Sequence, residues 1–543
     1  MTALASALVI CLAAGSASAP RQSATLTHRE PSRDRPSLSG AEMLVSSTSG
    51  SFLVHYTTTG ADATTGAYAT SVAAWADTSR QVFTALSWLP PPPDGTAGGD
   101  ARYDLYLMGL GASLTGYTQV ETFLPGGYPD DATSFIVVAT GMTDAEAAAA
   151  VAHHVHQACQ YAYSANELGA WMEQTGGWME ECAFPAANQW TLRTGAYLGN
   201  ARKYLFVSDG WTEHGALLWP KYLAESGGDA EIVRRIWLRC AAVANNNVIS
   251  ATQEELAASG RESLEDEFQV FTSWNYLCGP RDDGLHYLEG DLITGSVPLL
   301  ASHVSYPASG QTSALTALYG LGAAYVDFVG TAGSALHIEV NGSDGDGPWG
   351  CGIVVVDGLG DATCGVFSID GATGEGDTTI VGWSSLQRVV LVVQNLRLVA
   401  GSPGQFSYAA QVVASNPPAA PAGLTSTVAG DWILLSWLPS TDPDGDLAGY
   451  HVYRATQAFL LPQAMTRIAS TVNDQDPGTA GVQWTDQNAL GADVVGDWTA
   501  DYFWVVTAVD DAANESPPSA TAGELDYLIP YPPVPTDAIR RQR

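Results

Sequence analysis

Positive charge is what this sequence has least of. Its 543 residues include only two lysines, Lys203 and Lys221, and carry a formal net charge of −35 at pH 7. Such an excess of negative charge repels phosphate and argues against nucleic acid or an anionic membrane surface as a partner. Charged residues of both signs make up only 15% of the chain against 46% hydrophobic, which excludes a disordered chain and describes an acidic protein with large buried cores. Long apolar runs are also missing: after the first residues no segment reaches the roughly eighteen consecutive apolar positions that span a bilayer. The length implies about two to four domains.

Cysteine is scarce, seven in all. Residues 1–19, MTALASALVICLAAGSASA, have an apolar stretch of signal-peptide length and a small-residue end, so the chain is expected to be secreted and extracellular. The segment has no Lys or Arg, and Pro20 moves the expected cleavage toward Ala17. Cys11 would leave with it. The remainder, Cys159, Cys182, Cys240, Cys278, Cys351 and Cys364, is even in number, which in a secreted chain suggests disulfides. Cys351 and Cys364, close together in a strand-rich region, are the expected pair. The other four leave several pairings open.

The stretch from Ala147 to Glu181 carries ionisable and polar residues at helical spacing on an apolar background. Thr143 and Glu146 form a capping box, so a helix is expected to start at Asp144 and to continue past His156, with His153, His156, Gln157 and Gln160 on one face. A second helix follows a short polar turn, Ser164 to Glu167, and places Glu173, Gly177 and Glu180 on one face. A zinc peptidase helix reads HExxH, with two histidines one turn apart for the metal and a glutamate to take a proton from the metal-bound water. Here the five positions read His153, His154, Val155, His156 and Gln157.

The segment VAHHVHQACQYAYSANELGAWMEQTGGWMEE resembles the secreted bacterial metalloproteases of the gluzincin type, in which a VAHEFHHxxQ helix precedes a WxxExxAxWMEE helix. The resemblance covers roughly residues 51–330. It implies that His153, Gln157 and Glu173 stand at the zinc-ligand positions, that His154 stands at the catalytic glutamate position, and that His156 is not a ligand. Two of these positions depart from the pattern: His154 replaces the glutamate and Gln157 the second histidine. A glutamine oxygen is a poor zinc ligand, so zinc is expected to be weak or absent; His153 with His156 offers a second pair. His214, in Glu213-His214-Gly215, stands as a candidate oxyanion-stabilising residue against a plain capping or core role. Glu180 and Glu181 read as outer carboxylates rather than a displaced base. Gly176 and Gly177 should weaken their helix by about 1 kcal/mol each relative to alanine.

Along the chain, residues 20–50 read as a linker or pro-region. Residues 51–296 read as a zincin-like α+β domain, with strands at Phe52 to Tyr56, Tyr103 to Met108 and Phe135 to Ala139, and a first helix through Tyr68, Val72, Trp75, Val82 and Leu86. Residues 297–415, rich in Gly, Ser, Thr and Val, read as an antiparallel β-sandwich. A proline-rich linker, Asn416 to Pro421, opens residues 416–530, where the segments at Trp432, Gly449 and Tyr502 resemble the B, C and F strands of a fibronectin type III module. Asp442, Asp444 and Asp446 read as an acidic turn rather than a calcium loop. Residues 531–543 form a tail without an anchor.

Three functions are open on these residues: a pseudopeptidase that binds peptide or protein, an active zinc metallopeptidase with variant ligands, and a cell-surface protein that binds protein or glycan through its β-modules. Lack of a carboxylate at position 154 removes a proton-transfer contribution of about 10²–10⁴-fold, which places the first ahead of the second. Oligomeric state is not legible.

Overall fold

In a computed structural model, the described residues are 22–23, 31–32, 34–331, 333, 335–413, 417–443, 447–458, 460–473, 481–488, 494–497, 500–510 and 514–524. The expected signal segment, the tail and Asp444 to Asp446 lie outside them. The fold is multidomain, with helices and several separate β-sheets, and the chain divides into two compact units: Met1–Tyr197 with Ser208–Ala251, and Leu198–Val207 with Thr252–Arg543.

The first unit is built on a six-stranded sheet. Its strands are β1 (Gln22–Ser23), β2 (Met43–Ser46), β3 (Phe52–Tyr56), β4 (Tyr103–Met108), β5 (Leu114–Phe123) and β6 (Ala132–Ala139), in the order β1-β5-β6-β4-β3-β2. β3, β4 and β6 run parallel, while β5 and β6 pair antiparallel. Every residue of β6 is buried, as the run Phe-Ile-Val-Val at its centre requires. Against the sheet pack α1 (Gly66–Ala85) and α2 (Asp144–Gln160).

Thr143 and Glu146 make the full capping box that starts α2. From Ala147 to Gln160 every residue of α2 is buried. The alanines allow close approach on all sides, and each polar side chain therefore needs a partner indoors. α3 (Gly169–Ala183) packs along α2 and is itself buried from Ala170 to Glu180. The helices that follow include α4 (Thr191–Leu198), α5 (Thr212–Gly215) and α6 (Leu218–Ser226).

The second unit holds two pairs of facing sheets. One pair has five strands around Trp349–Asp357 and Leu386–Asn395 and four around Ala335–Gly342 and Phe406–Val413. Its core is Val, Ile, Leu and aromatic side chains from both sheets. Most neighbours are antiparallel, but Leu299–His303 runs parallel to Gly322–Val329. The other pair has a three-stranded sheet (Ala422–Ala429, Trp432–Leu438, Val482–Asp486) and a four-stranded one (Thr466–Val472, Leu447–Ala455, Tyr502–Asp510, Ala522–Glu524), closed around Trp437, Val452 and Trp504.

The expected Cys351–Cys364 disulfide is corrected here: all six described cysteines are free thiols. The two residues lie on adjacent antiparallel strands, but Cys364 is paired with Val354 and Cys351 with Phe367. Three residues of offset put the side chains on opposite faces of the sheet. Cys351 points into the sandwich core, and Cys364 lies on the other face.

Candidate functional site

α2 and α3 bring together the residues singled out in the sequence. His153 Nε2 lies 3.1 Å from Glu173 Oε2, and its other ring nitrogen, Nδ1, lies 2.8 Å from Glu180 Oε1. The amide nitrogen of Gln157 donates to Glu173 Oε1 at 3.1 Å and lies equally far from His153 Nε2. α5 delivers His214, whose Nδ1 is 3.2 Å from Glu173 Oε2. Glu173 is therefore the hub, with both oxygens occupied. Glu180 closes the circuit through Arg193 on α4, a partner that no sequence spacing announced.

The electrostatics follow from burial and from these pairs. Burial alone would lower the His153 pKa, but hydrogen bonds and charge from Glu173 and Glu180 outweigh it and raise it to about 9. His153 is thus an imidazolium at neutral pH, donating from both nitrogens. Burial would raise the Glu173 pKa, but His214 and His153 hold it well below the carboxylate range. Glu180 is held low against the same penalty by Arg193 and His153. Two carboxylates thus face an imidazolium and a guanidinium, and the cluster supplies its own counter-charge.

His154 sits on the side of α2 that faces β5. Its Nδ1 lies 3.0 Å from Gln157 Oε1, which also accepts from the Thr118 hydroxyl at 3.0 Å. Burial and the charge on His153 push the His154 pKa down to about 3, so the ring is neutral. Its Nε2 has no hydrogen-bond partner and rests over Gly116, where a Cβ would come within 2.7 Å of it. His156 turns toward α1, edge-on to Trp88 at 4.3 Å and Phe83 at 5.4 Å, with Nδ1 3.0 Å from the Gln160 amide. It does not join His153.

Gly176 has a specific role in this arrangement. A Cβ there would sit 2.8 Å from His153 Cε1, so the absence of a side chain makes the space for the imidazole. Glu181 is separate from the cluster and pairs with Lys221, a fully buried lysine on α6 that also contacts Glu225. Glu213 ties down the turn before α5 by accepting from the backbone of Asp209, Gly210 and Trp211.

These residues do not fit a zinc ion. Gln157 turns its amide nitrogen, which has no lone pair to give, toward Glu173, while its oxygen is held by Thr118 and His154. Freeing His153 Nε2 as a ligand at pH 7 means removing a proton held with a pKa of about 9, a cost of roughly 3 kcal/mol. Among the described residues no three His, Cys, Asp or Glu side chains are arranged to hold a metal. The centre is also closed: His153, His154, Gln157, Glu173 and His214 are each at most 2% exposed.

No family model and no curated protein matches this chain. Among solved structures it is similar in part to a β-1,2-glucanase from Parabacteroides distasonis, at 17% identity over 42% of this chain and 34% of that one, with a TM-score of 0.16. It is also similar to a pectate lyase from Erwinia chrysanthemi in complex with tetragalacturonic acid, at 16% identity over 20% and 28%, TM-score 0.14. A third is the Endo-D glycoside hydrolase domain from Streptococcus pneumoniae, at 11% identity over 40% and 37%, TM-score 0.16. The chain spans about a third of the length of the solved proteins it matches. At these scores the likenesses carry no argument about fold or activity.

Proposed function

We propose that this chain is a secreted binding protein, impaired as a peptidase: a gluzincin-like scaffold whose metal centre has become a self-neutralised core, joined to β-modules that meet a protein or glycan partner. One observation carries the reading. His153, at the first zinc-ligand position of the resemblance, spends both ring nitrogens on Glu173 and Glu180. A metal has no lone pair to take there, and a substrate has no opening by which to arrive. His154, neutral and facing β5, supplies no base at the centre.

Binding then falls to the β-rich unit. The strand orders of its last two sheets, three and four strands, support a fibronectin type III-like module, a fold whose exposed loops and edges suit recognition. No helix among the described residues is long and apolar enough to cross a membrane. Calorimetric titration of the purified protein with zinc tests the reading, and the expected result is no stoichiometric uptake. Tight binding of one zinc per chain, or zinc-dependent cleavage of a peptide library, would overturn it.

A further inference from the structure

Cys364, released from the expected disulfide, sits in a constellation of its own in the β-rich unit. Its Sγ lies 3.9 Å from His286 Nε2. His286 Nδ1 lies 2.8 Å from Asp283 Oδ1, which also accepts from the Leu285 backbone N–H at 3.0 Å. The Asp283 carboxylate thereby fixes the proton on Nδ1 and leaves the Nε2 lone pair facing the sulfur. Trp274 stands edge-on to the His286 ring at 5.2 Å and limits its rotation. The order is nucleophile, base, orienting carboxylate.

The site lies close to the surface, with His286 and Asp283 side chains 15% and 11% exposed. Cys364 is half-buried, on the face of the sheet turned away from the sandwich core. Leu285 and Leu288, on either side of His286, are 77% and 68% exposed, and Val366, two residues along the strand on the same face as Cys364, is 40% exposed. Exposed aliphatic side chains thus neighbour both the histidine and the cysteine in the chain, the composition that favours an apolar ligand.

We propose that Cys364, His286 and Asp283 form a thiol-dependent acyl-transfer site for esters or thioesters of apolar carboxylic acids. The thiol proton passes to His286 Nε2 as Sγ bonds to the acyl carbon. The C–O or C–S bond to the leaving group then breaks, and the leaving alcohol or thiol takes the proton from His286. Water, deprotonated by the same nitrogen, hydrolyses the thioester on Cys364 and returns the thiol. Burial and the charge of Asp283 push the Cys364 thiol up to about 12 against a hydrogen bond from Ser273, so the resting thiol is neutral and its attack depends on His286 as base.

The test uses the full chain with p-nitrophenyl octanoate and p-nitrophenyl acetate. Expected are nitrophenol release and, by peptide mass spectrometry, an acyl adduct on Cys364. His286→Asn should slow adduct formation about 100-fold or more. Asp283→Asn, which misplaces the imidazole proton, should slow it as well, and it keeps the test decisive if the histidine variant does not fold. Leu285→Ser with Leu288→Ser should slow the octanoate reaction and spare the acetate. No adduct on Cys364 in the folded protein, or equal rates in the natural chain and a folded His286→Asn or Asp283→Asn variant, would overturn the assignment.

Discussion

The His153 imidazolium makes stability depend on pH between about 6.5 and 9. Its pKa rises from 6.5 in the unfolded chain to about 9 in the fold, a difference worth roughly 3 kcal/mol. Because the folded value is the higher one, that contribution is complete below pH 6.5 and is lost as pH climbs through 9. Glu173 and Glu180 act in the opposite sense: their pKa values fall on folding, so their contribution is present above 4.5 and is lost as pH drops through the folded values. The helical unit should therefore be most stable from about pH 5 to pH 6.5. The perturbation is His153→Asn, which removes the shared cation and leaves two buried carboxylates facing Arg193 and His214. It should cost about 3–5 kcal/mol at pH 6. Urea unfolding at pH 6 and at pH 9.5, on the natural chain and the variant, isolates the group, since His55, whose pKa is also raised, is common to both and cancels. The natural chain should lose roughly 3 kcal/mol more than the variant between the two pH values. Equal losses would refute the imidazolium, and with it the argument against zinc.

Other consequences are open to direct measurement. Gly176→Ala should destabilise the protein by about 1–3 kcal/mol in thermal unfolding, although alanine is the better helix former, because its Cβ enters the space of the His153 ring; a stabilised variant would show that the ring has room. The double change His154→Glu with Gln157→His should gain stoichiometric zinc by calorimetry at pH 9, where His153 gives up its proton, since it replaces an amide nitrogen by an imidazole beside Glu173 and His153; if it binds none, the alignment with the zinc-ligand positions is wrong. Alkylation of the denatured, unreduced protein should label Cys159, Cys182, Cys240, Cys278, Cys351 and Cys364, and protection of any of them would contradict the free thiols.

What the sequence showed depended on whether the signal was local. The capping box at Thr143 and Glu146 is four residues of pattern, and α2 begins where it says. The Phe52–Tyr56 and Tyr103–Met108 strands are short apolar runs with clear ends. Helical spacing was enough to turn Glu173 and Glu180 to one side, where both meet His153. β5 left little trace, because its sequence LTGYTQVETF mixes Gly, Thr, Gln and Glu, and its bulge near Val120 to Thr122 breaks the alternation. Arg193 and His214 reach the cluster from separate helices, which no spacing along the chain encodes. Gly176 carried the opposite meaning from the one its type suggests: a weak helix former in isolation, it is the room that His153 occupies. The cysteine pair failed for a reason of register, since closeness in sequence says nothing about which face of a strand a side chain takes until the partner strand is known.

The two departures from the zinc-peptidase pattern are coupled, and this sets a last expectation. His154 and Gln157 look like separate losses, one of a base and one of a ligand, but in the fold the His154 Nδ1–H donates to Gln157 Oε1 and helps to aim the amide nitrogen at Glu173. Restoring glutamate at 154 alone would put a carboxylate beside that oxygen, acceptor against acceptor. The amide would then have to turn and present its oxygen to Glu173, trading one repulsion for another. Restoring histidine at 157 alone takes away the acceptor on which His154 Nδ1 depends and leaves a buried donor with only the Thr118 hydroxyl, at 3.4 Å. Each single change should therefore destabilise the helical unit, while the double change recovers part of the loss. In a double-mutant cycle on unfolding free energy the coupling should fall at about 1–3 kcal/mol. Losses that add to within roughly 0.5 kcal/mol would mean that the two positions are energetically independent, and that the hydrogen bond between them does not orient Gln157.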